Sequence, residues 1–393
     1  MRSVDTSERR IRLAQRHRLA PDWRASDAED AARSLICLHG TDPATIYMSA
    51  RARVDGMTVE DLDRALYTER SLVKHMAMRR TLFVFPRETL PPVQAAASAR
   101  VADRESRRLI KEVEKAGLHA DGEKWLRAAE AQVLELMADG REETMKEIRE
   151  QAPLLRGSIE YGAGKSWAGK VPMGPRVLTT LSAAGRIVRS TNTGPWWTSR
   201  NRWASMRAWI GEEIEPMDPS EAETRLVELW LRAFGPGTEK DIKWWLGSTL
   251  GGVRKALSSL GAVEVDLDGR TGYLLPDDLE SPEPVAPWGA LLPALDPTTM
   301  GWFEREWYLG SHKEQLFDST GNAGPTIWWD GRIVGGWAQR DSGEVVLHFL
   351  DDIGGEAVSE LEGQAAALSD WLDGRRVMLR FPTPLAKSLA AEG

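Results

Sequence analysis

The spacing of apolar and polar positions changes several times along this chain, and each change marks an element. Residues 28–40, AEDAARSLICLHG, put Ala31, Leu35 and Leu38 at the three- and four-residue intervals of a helix buried on one side. Asp42 followed by Pro43 has the form of an N-cap with proline at the first helical position, so a second helix is expected over ATIYMSARARV. TVEDLDRALYTE, with Thr58 three residues before Asp61, predicts a third. SLVKHMAMRRTLFVFPRE closes the segment, and its TLFVF core has the β-branched and aromatic content of a strand.

Three helices and then a strand is the order of a winged helix-turn-helix unit, and the order recurs. After a charged, amphipathic helical stretch over about 88–138, ETMKEIREQ and GPRVLTTLSAAG predict helices, and RIVRST with WWTSRNRWASM predicts strands about the turn NTGP. A third copy begins at residue 218. DPSEAETRLVELWLRAFG, TEKDIKWWLG and TLGGVRKALSSLG are helical, and AVEVDLDGRTGYLLP is a hairpin turning at Asp268-Gly269. A proline-rich boundary at 281–293 leads to short strands, among them a hairpin turning at Asp330-Gly331, with one late helix around 355–373. The expected fold class is α+β. It comprises winged helices at 1–87, 141–217 and 218–280, a helical brace at 88–140, and a C-terminal β-barrel-like domain at 281–393.

Composition narrows the function classes. The 393 residues are 42% hydrophobic, enough for packed cores, but no stretch reaches the roughly 18 apolar residues of a membrane span. The N-terminus, MRSVDTSERRIRLAQRHRLA, lacks the apolar region of a secretory signal. The single cysteine, Cys37, excludes an intramolecular disulfide and a cysteine-based zinc site, which fits a cytoplasmic protein. The six histidines have no metal-binding spacing, so no metal is expected. GAGKS at 162–166 lacks the full phosphate-loop spacing, and no cofactor is expected. Most of the 17 tryptophans are expected in packing.

Net charge is −8, but it is unevenly spread. Residues 161–211 carry Lys165, Lys170, Arg176, Arg186, Arg189, Arg200, Arg202 and Arg207 and no acid at all. Such a strip is either a solvated face or a phosphate-binding one. Arg79 and Arg80, ahead of the first strand, join it as candidate DNA contacts, each offering phosphate binding without base reading.

Four blocks carry a resemblance. LLPALDPTTMGWFEREWYLG (291–310), FGPGTEKDIKWWLG (234–247), RSLVKHMAMRRTLFVFP (70–86) and GNAGPTIWWDGRIVGGWAQR (321–340) are similar, in order, to blocks of the AlkZ/YcaQ-type tandem winged-helix DNA glycosylases. The resemblance implies a curved body of winged helices closed by a β-rich domain and gripping double-stranded DNA. It implies excision of purines alkylated at ring nitrogens, including bulky or crosslinking adducts, by a monomeric, monofunctional enzyme. The family's crosslink-processing hairpin corresponds to TIWWDGRIVGGW. Family members carry Gln-x-Gln or Gln-x-Asp where this chain has His39 and Thr41, a departure that resembles an AlkX-like branch.

A purine alkylated at N7 or N3 is already cationic and leaves without protonation, so catalysis needs a positioned water and stabilisation of a cationic sugar. A neutral His39 imidazole can hold or deprotonate water, Thr41 can add a hydrogen bond, and Asp42 can orient the ring or act as the base. The alternative is that Asp42 and Thr41 only cap the helix and His39 satisfies helix-terminal carbonyls. Loss of the glutamines also leaves open a non-catalytic DNA-binding protein, a regulator or a lesion-binding shield. The basic strip disfavours a protein-interaction scaffold.

Overall fold

Two apolar runs meet cores on both of their sides, and this decides the first unit. In the computed structural model, which describes residues 1–161 and 169–391, the helix Ala28–Ser34 stops well short of Gly40. Leu35 and Leu38 are buried in one core, Ile36 and Cys37 in another. A helix buried on one side cannot supply both. The chain reverses at Ile36 (φ 68), and Leu38–His39 becomes a strand. The residues ahead of TLFVF behave alike: Leu72–Ala77 is a strand buried along its whole length. Thr81–Pro86 runs between the two, pairing Leu38 and Lys74 with Val84 and pairing His39 and His75 with Phe83. Arg79 and Arg80 therefore occupy the tip of a hairpin, at φ 57 and φ 64.

The local signals form as their chemistry dictates. Asp42 accepts from the Ala44 amide at 3.2 Å and starts the helix Pro43–Arg51. Thr58 and Asp61 form a reciprocal capping box, as do Thr238 and Asp241 ahead of Glu239–Leu246. The brace is two helices, Ala99–Lys115 and Gly122–Leu136. The next helices are Met145–Gln151 and Gly174–Ala183, followed by the hairpin Ile187–Asn192 and Asn201–Ser205. Glu143 exchanges both backbone hydrogen bonds with Trp203, at 2.9 and 2.8 Å. The helices Pro219–Phe234, Glu239–Leu246 and Leu250–Ser259 lead into the hairpin Val263–Leu267 and Arg270–Leu274. Arg2–Ser3 lies parallel to Val265–Asp266 in the same sheet, so the first residues of the chain pack with residues far along it.

The last region differs from the expected barrel. Gly289–Leu292, Thr326–Trp329, Arg332–Gln339 and Val345–Phe349 form an antiparallel sheet in chain order, and its two outer strands do not pair with each other. A helix packs against the open sheet. Leu361, Ala365, Leu368 and Leu372 of Gly355–Leu372 share a core with Leu291, Ile327, Val334 and Trp337.

The regions are joined by a wide aromatic core and one buried ion pair. Trp230, Trp288, Trp302 and Trp328 are fully buried, and the Trp302 indole donates to the Phe234 carbonyl at 3.1 Å. Arg53 grips Asp296 with two hydrogen bonds, 2.8 and 2.9 Å, and both side chains are 0% exposed. Ser49 donates to Asp296 at 2.7 Å, Arg53 donates to the His17 carbonyl at 3.0 Å, and His17 meets the Ala233 carbonyl at 3.1 Å. Burial would push the Asp296 carboxyl up, but the Arg53 charge and these donors hold it below its usual value. No helix among the described residues is long and apolar enough to cross a membrane.

Candidate active site and nucleic-acid interface

Strand pairing places the His39–Asp42 loop. His39 ends the short edge strand, its ring edge-on to Phe83 at 5.4 Å between centroids. Gly40 donates to the Leu82 carbonyl at 2.9 Å and lies so close that a Cβ would come 3.2 Å from that oxygen. The Thr41 amide donates to His39 Nδ1 at 3.4 Å, which leaves the proton of a neutral ring on Nε2. Burial, and then the charge of Arg79, hold the imidazole down at about 3, so the ring is neutral across the physiological range. Asp42 is 5% exposed; burial raises its carboxyl against the hydrogen bonds from the Ala44 and Arg380 main chain. Three polar side chains thus share one loop, with a neutral imidazole that donates through Nε2 and a carboxylate more basic than usual. Asp42 also caps its helix, so both readings of this residue have a physical basis.

Two features of the surroundings were missed in the sequence. Arg380 reaches from the C-terminal segment to donate to the Thr41 carbonyl at 3.2 Å. On the opposite face of the sheet, Lys74 is buried among polar groups. It donates to the Tyr67 hydroxyl at 2.7 Å and to Asn201 at 3.5 Å, and Tyr47 donates to Asp63 at 2.5 Å. Burial, with Arg189 nearby, lowers the Lys74 ammonium to about 7. Lys74 sits in an otherwise apolar strand, and that local mismatch is the one trace it leaves in the sequence.

The candidate DNA-contacting cations are spread over several surroundings. Arg79 lies with Cζ 4.1 Å from the Trp244 ring centre, and Arg80 pairs with Glu105 at 3.1 Å. Lys165 and the GAGKS stretch lie outside the described residues. Lys170 is exposed and pairs with Glu160 at 3.4 Å. Arg176 pairs with Glu112. Arg202 donates to the Glu142 carbonyl at 2.6 Å and to Glu147 at 3.1 Å. Arg189 is half-buried, 5.4 Å from the Trp203 ring centre. Arg186 and Arg200 are exposed and take part in no ion pair among the described residues. The strip without acids in sequence acquires them in space, from Glu112, Glu147 and Glu160.

Comparison with known proteins shows the family and the fold. The profile of one family, described as DNA glycosylase AlkZ-like, matches residues 32–371. An interstrand DNA cross-link repair glycosylase of Streptomyces sahachiroi is 28% identical over 143 residues, 34% of this chain and 38% of that relative. The aligned part is therefore well under two thirds of the relative's length. The solved structure of the Streptomyces sahachiroi DNA glycosylase AlkZ superposes with a TM-score of 0.74, covering 94% of this chain and 97% of that one at 20% identity, a likeness of fold. Since the profile covers most of the chain, from residue 32 to residue 371, the chain belongs to the DNA glycosylase AlkZ-like family.

Proposed function

We propose that this protein is a monomeric, monofunctional DNA glycosylase acting in the cytoplasm on double-stranded DNA. It hydrolyses the N-glycosidic bond of N-alkylated purines, N7-alkylguanine and N3-alkyladenine, with bulky adducts and interstrand crosslinks in its range. Its three helix-and-hairpin regions are tandem winged helices forming a curved body around the duplex. Arg79, Arg80, Lys165, Lys170, Arg176, Arg186, Arg189, Arg200 and Arg202 are its proposed phosphate contacts.

The observation that carries this reading is the His39–Asp42 loop, where a neutral imidazole and a carboxylate of raised pKa share a few residues inside the span matched by the family. In the reaction the C1′–N bond breaks and its electron pair leaves with the cationic base. His39 Nε2–H and Thr41 hold a water, and Asp42 takes its proton as the oxygen bonds to C1′. The Asp42 charge also stabilises the cationic sugar. No proton has to reach the leaving base and no metal has to activate the water.

Single-turnover release of 7-methylguanine from a methylated duplex tests this, with DNA affinity measured alongside. His39→Ala and Thr41→Ala are expected to lose about 100-fold or more in release while still binding DNA. Full release by both variants would return the loop to a capping role. A second reading, a DNA-binding protein without catalysis, is favoured by the existing commitments of Asp42 to Ala44 and of His39 Nδ1 to Thr41. Tight binding without release by the unaltered protein would select it.

A further inference from the structure

The first hairpin tip, the helix Glu239–Leu246 and the loop after Pro297 converge on one surface. Arg79 and Arg305 both lie against Trp244, with Cζ 4.1 and 5.2 Å from its ring centre. Arg305 is also 4.9 Å from the Phe317 ring centre. Beside Trp244, at 6.3 Å between centroids, Phe303 is 52% exposed. Its loop is held firmly from below. Asp241 accepts from the Phe303 amide at 3.0 Å and from the Glu304 amide at 2.8 Å, and Thr238 donates to the same carboxylate at 3.0 Å. The aromatic ring thus stands in water on a rigid support.

The charges around it are uncompensated. Neither Arg79 nor Arg305 has a carboxylate within ion-pair distance among the described residues. Arg79 is also held in the left-handed region, where asparagine or glycine would sit more easily. Two guanidiniums that repel each other beside an open π-face are costly in the free protein, and an anion carrying an aromatic group relieves both costs. Nucleic acid has that chemistry, a phosphate next to a base. A protein partner would call for a wider apolar area than one ring flanked by cations.

We infer that Phe303 is a base-stacking residue, its ring packing on a nucleobase unstacked from the duplex while Arg79, exposed at the hairpin tip, takes a flanking backbone phosphate and the buried Arg305 adds its charge from behind. This rests on the reading of the protein as one that acts on duplex DNA, and it adds a contact that no loop residue at His39–Asp42 supplies.

The test uses the full chain and a duplex with 2-aminopurine beside a tetrahydrofuran abasic analogue, which cannot be cleaved. The unaltered protein and Phe303→Tyr are expected to change the 2-aminopurine emission on binding. Phe303→Ala is expected to lose that change and to bind about tenfold more weakly, with its melting temperature kept because the ring is exposed. Arg79→Asn, which suits the left-handed tip, is expected to keep the emission change and to flatten the salt dependence by about one counterion. Equal emission change and equal affinity in Phe303→Ala would overturn the inference, as would no change with the unaltered protein. If the protein binds and perturbs 2-aminopurine but releases no alkylated base, the stacking role stands and the glycosylase reading fails. If it binds no duplex, both fail.

Discussion

Asp42 caps a helix and is the proposed base, two roles that a single substitution can separate. Asparagine caps helices about as well as aspartate, so Asp42→Asn is expected to leave stability within about 0.5 kcal/mol, while Asp42→Ala loses about 1 kcal/mol in urea denaturation. If the carboxylate is the base, Asp42→Asn still loses about 100-fold in single-turnover release. Lys74 gives a pH signature. Its ammonium titrates at about 7 in the folded protein against 10.5 when solvated, so between these values the unfolded chain holds the extra proton. The group's penalty is fully present below pH 7 and fades as pH rises towards 10.5. Lys74→Met is expected to be more stable than the unaltered protein at pH 6 and to lose that advantage by about pH 10, read as the difference between their urea midpoints. His39 has the same sign lower down: its neutral form supports the fold above 6.5, and that support is lost as pH falls towards about 3.

At the scale of elements, the hairpin Leu72–Ala77 and Thr81–Pro86 does most to place the site. Its central strand positions His39 through Phe83, its other strand carries Lys74 opposite Val84, and its tip carries Arg79 to Trp244 in the third set of helices and Arg80 to Glu105 in the brace. The tip is strained, with two consecutive arginines at φ 57 and φ 64. Strain of this kind persists where a function uses the side chains. Arg80→Asn relieves part of it and gives up an ion pair with the buried Glu105, which keeps Arg104 at 3.3 Å as a partner. Relieved strain and the weakened pair oppose each other, so stability is expected to stay within about 1 kcal/mol while DNA binding weakens, measured by thermal melting and fluorescence anisotropy on the same samples.

At the scale of the whole molecule, Arg53 and Asp296 hold the site's helix to the last region. The pair is fully buried, and Ser49, Thr298 and the His17 carbonyl satisfy its remaining groups. Removing one partner strands a charge without water. Arg53→Met is expected to cost about 3–5 kcal/mol in urea denaturation, and the double variant Arg53→Met with Asp296→Leu to recover much of it. Recovery of stability without recovery of base release would show that the pair positions the helix Pro43–Arg51 as well as supporting the fold.

What the sequence determined on its own was local. Asp42 before Pro43, Thr58 with Asp61 and Thr238 with Asp241 cap helices because donor and acceptor lie within a turn of each other. Asp268-Gly269 and Asp330-Gly331 turn hairpins because their backbones adopt positive φ. The grouping of His39, Thr41 and Asp42 was legible for the same reason, being one loop. Tertiary structure decided whatever depends on partners distant in sequence. LICL left the helix for a turn and a short strand from Leu38, and Leu72–Ala77 became a strand, because cores lay on both of their faces. The acid-free strip found its carboxylates on two helices and a strand that precede it. Arg53 met Asp296 across 243 residues, and Arg380 met Thr41 across 339. Strand pairing, buried charge and a site's electrostatic surroundings depend on contacts that form only when the chain closes on itself, and no local pattern of residues records them.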